Sequence, residues 1–298
     1  MALRFDDLGN RLRAFRLGSG MSAEEIAKRI GISRTALYRF EKGEVVKIET
    51  LERLAELLEV SLPTLLGVGV EYIPSAVTYF ERMRQIEEMA EHIIVMAGPI
   101  SYLLASDGFA TVLRDVLRES VPEKSDDRER ALAEIEEIMA ILQLRKEDYR
   151  KRQPGIVNLI AASEIARFLR NGMVGRHDLP EDVRAERRKL ARAELAHFAR
   201  VMEEEPIGVQ IGIVPENLPH TGFQIFRQPD RHVLALSPFR LGEEPNIRVG
   251  VAMITSAAEA LALHQKAAEE MWRRALKGNA ASRYLRELMN RNGEPAKK

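Results

Sequence analysis

Two short runs of helical periodicity joined at a glycine, from Ser22 to Gly43 in SAEEIAKRIGISRTALYRFEKG, constrain this chain more than any other stretch. Ser22 followed three residues later by Glu25 reads as a capping box, in which each side chain serves a backbone donor that a new helix leaves unpaired. Ile26, Ala27 and Ile30 then form one apolar stripe. Gly31, lacking a Cβ, suits the left-handed turn that ends a helix. Ile32 closes the junction, and Ser33 stands where a second N-cap belongs. Ala36, Leu37 and Phe40 predict a second buried stripe, which leaves Arg34, Thr35, Tyr38, Arg39 and Lys42 facing outward until Gly43 ends the helix.

Two amphipathic helices around a tight turn are also an ordinary packing unit. Charge separates the two readings. From Lys28 to Lys42 there are five basic residues (Lys28, Arg29, Arg34, Arg39, Lys42) against the single acid Glu41. The whole chain, with 45 Lys+Arg and 45 Asp+Glu, is neutral, so the excess is local, as an electrostatic footprint on DNA would be. On these residues, GISRTALYRFEKG resembles the turn and recognition helix of the xenobiotic-response-element class of lambda-repressor-like regulators.

The resemblance implies that Arg34, Thr35 and Tyr38, beyond the Ser33 cap, approach base edges in the major groove. It also implies that Arg39 and Lys42 neutralise phosphates and that Ser22 faces the DNA backbone. The chain departs from the phage repressors at Ala23 and Arg34, where that family often carries glutamine, so no adenine-reading glutamine pair is expected. Arg34 instead suits guanine, whose O6 and N7 accept a bidentate guanidinium.

At 298 residues the chain exceeds one typical domain. Leu8, Leu12, Phe15 and Leu17 predict a first helix with Arg11, Arg13 and Arg16 on its opposite face, broken by Gly18 and Gly20. After Gly43, Leu51, Leu54, Leu58 and Leu62 supply a fourth helix and a short fifth entered through Pro63. The expected organisation is an all-α, five-helix lambda-repressor-like DNA-binding domain at 1–67, a linker at 68–74, and a larger, helix-rich α/β regulatory and dimerisation domain at 75–298. The linker is read from Gly67, Gly69 and Pro74.

In the larger region Tyr79, Met83, Ile86, Ala90, Ile93 and Ala97 recur at alternating gaps of four and three, a short heptad seam closed by Gly98 and Pro99. That pattern suits either a dimer contact or a helix packed on its own domain. One or two helices are expected over 100–119, a polar loop at 124–127, and an amphipathic helix over 128–144. GIVNLIAA, from Gly155, is a continuous apolar run of the kind found in a buried strand. Ser163 is expected to cap a helix to Arg170, and Glu181 to Met202 forms a long one. Further strands are expected at 207–214, 222–227, 232–236 and 247–254, with closing helices at 256–275 and 280–289. The order of these elements, ending in IGIVPENLPHTGFQIF, is similar in outline to the carboxy-terminal sensor domains of some regulators of the same class. This implies a ligand- or partner-responsive domain with Val214 to Phe226 near any pocket.

The cysteine count of 0 excludes disulfides, thiol redox sensing and thiolate metal sites. No run of about 18 apolar residues occurs, and the opening MALRFDD lacks the apolar core of a signal peptide, so a cytoplasmic protein with no membrane partner is expected. His264 and Lys266 form a single H-x-K, but Met271 stands where a phosphodiesterase of that kind has aspartate. His177 beside Asp178, and His220, lack ligand spacing, and no phosphate-cradling glycine loop is present. No catalytic residue, metal or cofactor is therefore expected. The function this points to is a sequence-specific transcriptional regulator of repressor type. It would bind a double-stranded operator as a homodimer and sense a small-molecule effector. The alternatives are an antitoxin or phage-type repressor that binds a partner protein, and a DNA-targeted enzyme.

Overall fold

The structure, a computed structural model, describes residues 5–96, 98–216 and 222–291, with side chains from Asp7 onward. Ala97 of the expected seam, His220, part of the 214–226 stretch and the tail 292–298 lie outside the described residues.

The amino-terminal helices are α1 (Phe5–Ser19), α2 (Ala23–Ile30), α3 (Arg34–Glu41), α4 (Ile48–Leu57) and α5 (Leu62–Leu66). Their apolar stripes converge: Leu8, Leu12, Ile26, Leu37, Leu54 and Leu65 are all buried to 1% exposure or less. The remaining elements are β1 (Val70–Ile73), α6 (Ala76–Glu87), β2 (His92–Met96), a single 3-10 turn at Tyr102–Leu104, α7 (Asp107–Glu119), α8 (Arg128–Arg152), β3 (Gly155–Ala161), α9 (Ala162–Asn171), α10 (Glu181–Glu204), β4 (Val209–Val214), β5 (Phe223–Arg227), β6 (His232–Leu236), β7 (Ala252–Thr255), α11 (Ala258–Arg274), β8 (Leu276–Lys277) and α12 (Gly278–Arg291).

The strands form one mixed sheet in the order β1-β7-β6-β5-β2-β3-β4-β8. Among the described residues only β2, β3 and β4 run parallel to one another, and the apolar β3 sits between the other two, covered on both faces as its composition requires. Helices α6, α8, α9, α10 and α12 bury one face in a core continuous with that of the amino-terminal helices. On the other face Leu159, Phe223, Ile225 and Leu234 pack beneath α11 through Ala268, Met271 and Trp272.

Several expectations change. The proposed heptad seam does not exist: α6 ends at Glu87, Ala90 lies in a turn and Ile93 belongs to β2. Those apolar residues are buried within the chain itself. The stretch expected as a linker contains β1, paired with β7 so that Tyr72 lies opposite Met253. Gly18 lies within α1; its missing side chain serves close approach, since a Cβ there would collide with the Thr78 hydroxyl of α6. Arg11, expected on the outer face, is buried. Its guanidinium donates to the carbonyls of Leu65 (2.9 Å) and Leu66 (2.8 Å) and pairs with Glu71. Ser163 does not cap α9, which starts at Ala162 without a side-chain cap. The last of the expected strands is shorter, 252–255, and α8 runs on past Leu144 to Arg152.

The amino-terminal helices are thus fixed to the sheet. Arg82 of α6 donates to both oxygens of Glu71 (3.0 and 2.9 Å), the carboxylate that also holds Arg11. Gln85 donates to the Asn10 carbonyl (3.0 Å), and Arg231 grips Asp7 with contacts of 2.6 and 3.0 Å.

Candidate nucleic-acid interface

Helix α2 begins at Ser22, whose Oγ accepts from the Glu25 amide at 3.2 Å. The capping box is made on one side only, because the Glu25 carboxylate pairs with Arg29 (3.0 Å) one turn on. Gly31 ends the helix at φ +71°, and the Ile32 amide returns to the Ala27 carbonyl at 2.9 Å. Arg53 of α4 reaches back to the Ile30 carbonyl (2.9 Å), supporting the same helix end. Ser33 then caps α3 through the Ala36 amide at 3.1 Å.

Helix α3 buries Leu37 completely and Ala36 and Phe40 in part. Arg34, Thr35, Tyr38, Arg39 and Lys42 are all exposed, and so are Ser22 and Ser33. Helical spacing therefore puts Arg34, Thr35, Tyr38, Arg39 and Lys42 on the side of α3 away from the core that Leu37 enters, facing solvent. The free charge of this surface is smaller than a count along the sequence suggests. Arg29 is held by Glu25 and Arg39 by Glu44, at 2.7 Å. Among the described residues Lys28, Arg34 and Lys42 have no carboxylate partner on this surface.

Two features escaped the sequence. The Arg34 guanidinium lies 5.8 Å from the Tyr38 ring centre, and Arg16 of α1 lies 5.9 Å from the same ring. This cation–π stacking orders a side chain that otherwise samples many rotamers. Arg16 also forks onto Glu41 with contacts of 2.5 and 3.1 Å, which explains the single acid in a basic stretch. Below them α1 and α3 touch through backbone, since a Cβ on Gly9 would lie 2.6 Å from the Glu41 carbonyl oxygen.

Behind α6 lies a cavity of about 520 Å³ at the carboxyl ends of β2 and β3, the customary place for ligands in sheets with parallel strands. Tyr79, Phe80, Val95 and Leu159, each 5% exposed or less, form its inner wall. From the expected 214–226 stretch, Gly222, Phe223 and Gln224 line it, while Val214 does not. Burial pushes the Tyr79 hydroxyl pKa up to about 12, against the pull of Arg145; it accepts from Gln224 Nε2 at 3.3 Å.

The described histidines do not converge. His264 lies on α11 against the Ala260 carbonyl (2.8 Å) and Phe223, and His177 is exposed beside Glu244. Among the described residues no three His, Asp or Glu side chains gather in metal-binding geometry. No helix among them is long and apolar enough to cross a membrane.

A family model described as a helix-turn-helix domain matches residues 7–66, about a fifth of the chain. No curated protein matches it. Among solved structures, that of TrmBL2, described as an archaeal chromatin protein showing a novel mode of DNA binding, is similar at 12% identity and a TM-score of 0.32. The likeness covers 90% of this chain and 93% of that one. Residues 7–66 are a helix-turn-helix domain, in keeping with the xenobiotic-response-element resemblance of GISRTALYRFEKG, and they are followed by a larger α/β region built on an eight-stranded sheet.

Proposed function

We propose that this protein is a sequence-specific, DNA-binding transcriptional regulator of the cytoplasm. Its α/β region would hold two copies together and sense a small molecule rather than catalyse a reaction. The observation that carries the reading is the recognition helix: Leu37 anchors α3 from below, and Arg34, Thr35, Tyr38 and Lys42 are presented together on its free side.

Reading and clamping leave different traces. Arg34→Ala is expected to lose about 1–3 kcal/mol at one base pair and relax the preference there, with little change in salt dependence. Lys42→Ala is expected to weaken all sequences alike and to lower the slope of log K against log salt by about one. Affinities for a selected site and for scrambled DNA across a salt series separate these outcomes. An equal loss on both DNAs for Arg34→Ala would make it a backbone contact and leave Thr35 and Tyr38 as readers.

A single helix-turn-helix unit covers few base pairs, so tight binding calls for two units about one DNA turn apart. What supports a second copy is the open edge of β1, where Tyr72, Val251 and Met253 remain exposed beside it. The full chain is expected to sediment as a dimer at micromolar concentration, mainly through contacts made after residue 72. A monomer that binds a two-half-site operator no more tightly than one half-site would refute this.

A further inference from the structure

The cavity behind α6 has an uneven charge distribution. Two of its arginines are already satisfied: Arg145 by both oxygens of buried Glu87 (2.8 and 2.6 Å), and Arg167 by Glu164 and Glu243, each at 3.0 Å. Arg170 and Arg240 also line the cavity and are exposed, which places them at its mouth. Among the described residues neither has a carboxylate partner; the Arg240 guanidinium meets the Glu244 carbonyl at 3.4 Å. Counting these four arginines against Glu87, Glu164 and Glu243 leaves one net positive charge, located at the rim above an apolar and aromatic interior.

A pocket of this size suits a small organic ligand that buries most of its surface against apolar walls. A guanidinium pair at the rim selects for an acid group, which it can hold by charge-assisted hydrogen bonds. One excess charge matches a monoanion better than a phosphate dianion. Resting on the regulator reading above, we propose that this cavity binds an amphipathic monocarboxylate. Its apolar body would lie against Phe80 and Leu159 and its carboxylate at Arg170 and Arg240, and α6 would pass the occupancy to the helix-turn-helix domain.

The position of α6 supports the second half of the proposal. Eleven of its residues are buried, with only Arg84 half-buried. Tyr79 and Phe80 face the cavity; Thr78 meets α1 at Gly18, Arg82 shares Glu71 with Arg11, and Gln85 holds the Asn10 carbonyl. A helix so tightly held on both sides shifts as a unit rather than absorbing the change locally. Helix α1 in turn meets α3 through Gly9.

The test is calorimetric titration of the full chain with decanoate, 2-naphthoate, decan-1-ol and decyl phosphate, with hydrogen exchange measured on the same samples. At least one of the two carboxylates is expected to bind saturably and about tenfold or more tighter than the alcohol and the phosphate. The double variant Arg170→Ala, Arg240→Ala changes only exposed side chains and is expected to remove the preference for the acid while keeping the fold, as checked by thermal unfolding. The bound carboxylate is expected to slow exchange in α6 and in α1. Equal binding of decanoate and decanol, tighter binding of decyl phosphate, or no saturable carboxylate binding would overturn the ligand class. Slowed exchange confined to the cavity wall would overturn the relay. DNA affinity of the same preparation is scored separately, so loss of the regulator reading and loss of the ligand assignment are distinguishable.

Discussion

Replacing Glu71 with alanine is expected to destabilise the folded chain by about 3–5 kcal/mol, because it strips the shared counter-charge from two buried guanidiniums. Arg11 and Arg82 are 5% and 4% exposed, and Glu71 contacts both at 2.9–3.4 Å. Burial already pushes the Arg11 pKa down while Glu71 holds it up, so removing the carboxylate leaves the desolvation cost unopposed. Arg11 would still reach the Leu65 and Leu66 carbonyls, which are poorer partners for a full charge. The network is also the joint between α1, β1 and α6. Chemical denaturation is therefore expected to show the amino-terminal helices unfolding ahead of the sheet in this variant, where the wild-type chain with its shared core unfolds more cooperatively. A double variant with Glu71→Leu and Arg82→Met is expected to recover part of the loss, since the charge of Arg82 is no longer buried unpaired while that of Arg11 still is. A loss below about 1 kcal/mol for Glu71→Ala, the size of an exposed pair, would show that the joint is solvated.

Leu37→Ala is expected to cost about 2–5 kcal/mol, the usual range for truncating a buried leucine whose surroundings cannot collapse. Leu37 has 0% exposure and is the one fully buried residue of α3, so the variant loosens the element that carries Arg34, Thr35 and Tyr38. Affinity for DNA is expected to fall with stability and to recover in Leu37→Met, which restores volume. Retained affinity in a destabilised Leu37→Ala protein would mean that α3 is held in place from α1, through the Arg16–Glu41 fork and the Gly9 contact.

Within the helix-turn-helix domain most of the architecture was legible residue by residue. Caps at Ser22 and Ser33, the left-handed stop at Gly31 and the stripes through Ile26, Ile30 and Leu37 depend on neighbours within one or two turns. In the α/β region the apolar run at 155–161 was equally plain, since a central parallel strand shows its burial in composition alone. The alternation of four and three from Tyr79 to Ile93 misled because it crossed a helix, a turn and a strand. Each of those places apolar residues inward for its own reason, so a spacing shared by chance resembles a seam.

The candidate DNA-reading residues could be named from the sequence because a helix with one buried stripe leaves a defined set outside. The pairing of Arg39 with Glu44 and the stacking of Arg34 on Tyr38 could not, since both depend on rotamers set by packing. The cavity was hidden for the same reason: its wall comes from α6, the sheet and the segment after β2, which no local pattern brings together.

The sequence by itself determined the five amino-terminal helices, the caps at Ser22 and Ser33, the exposed face of α3, and the existence of a strand-containing second region. Local propensity and periodicity are sufficient for these. Only the tertiary structure decided which charges are buried. Arg11 finds Glu71 at 60 residues' separation and Arg145 finds Glu87 at 58, and a charged side chain enters a core only where such a partner awaits it. That is why a helix expected to stop at Leu144 continues through Arg145 and Lys146, and why Gly18, which by itself signals a break, stays helical where α6 needs the space.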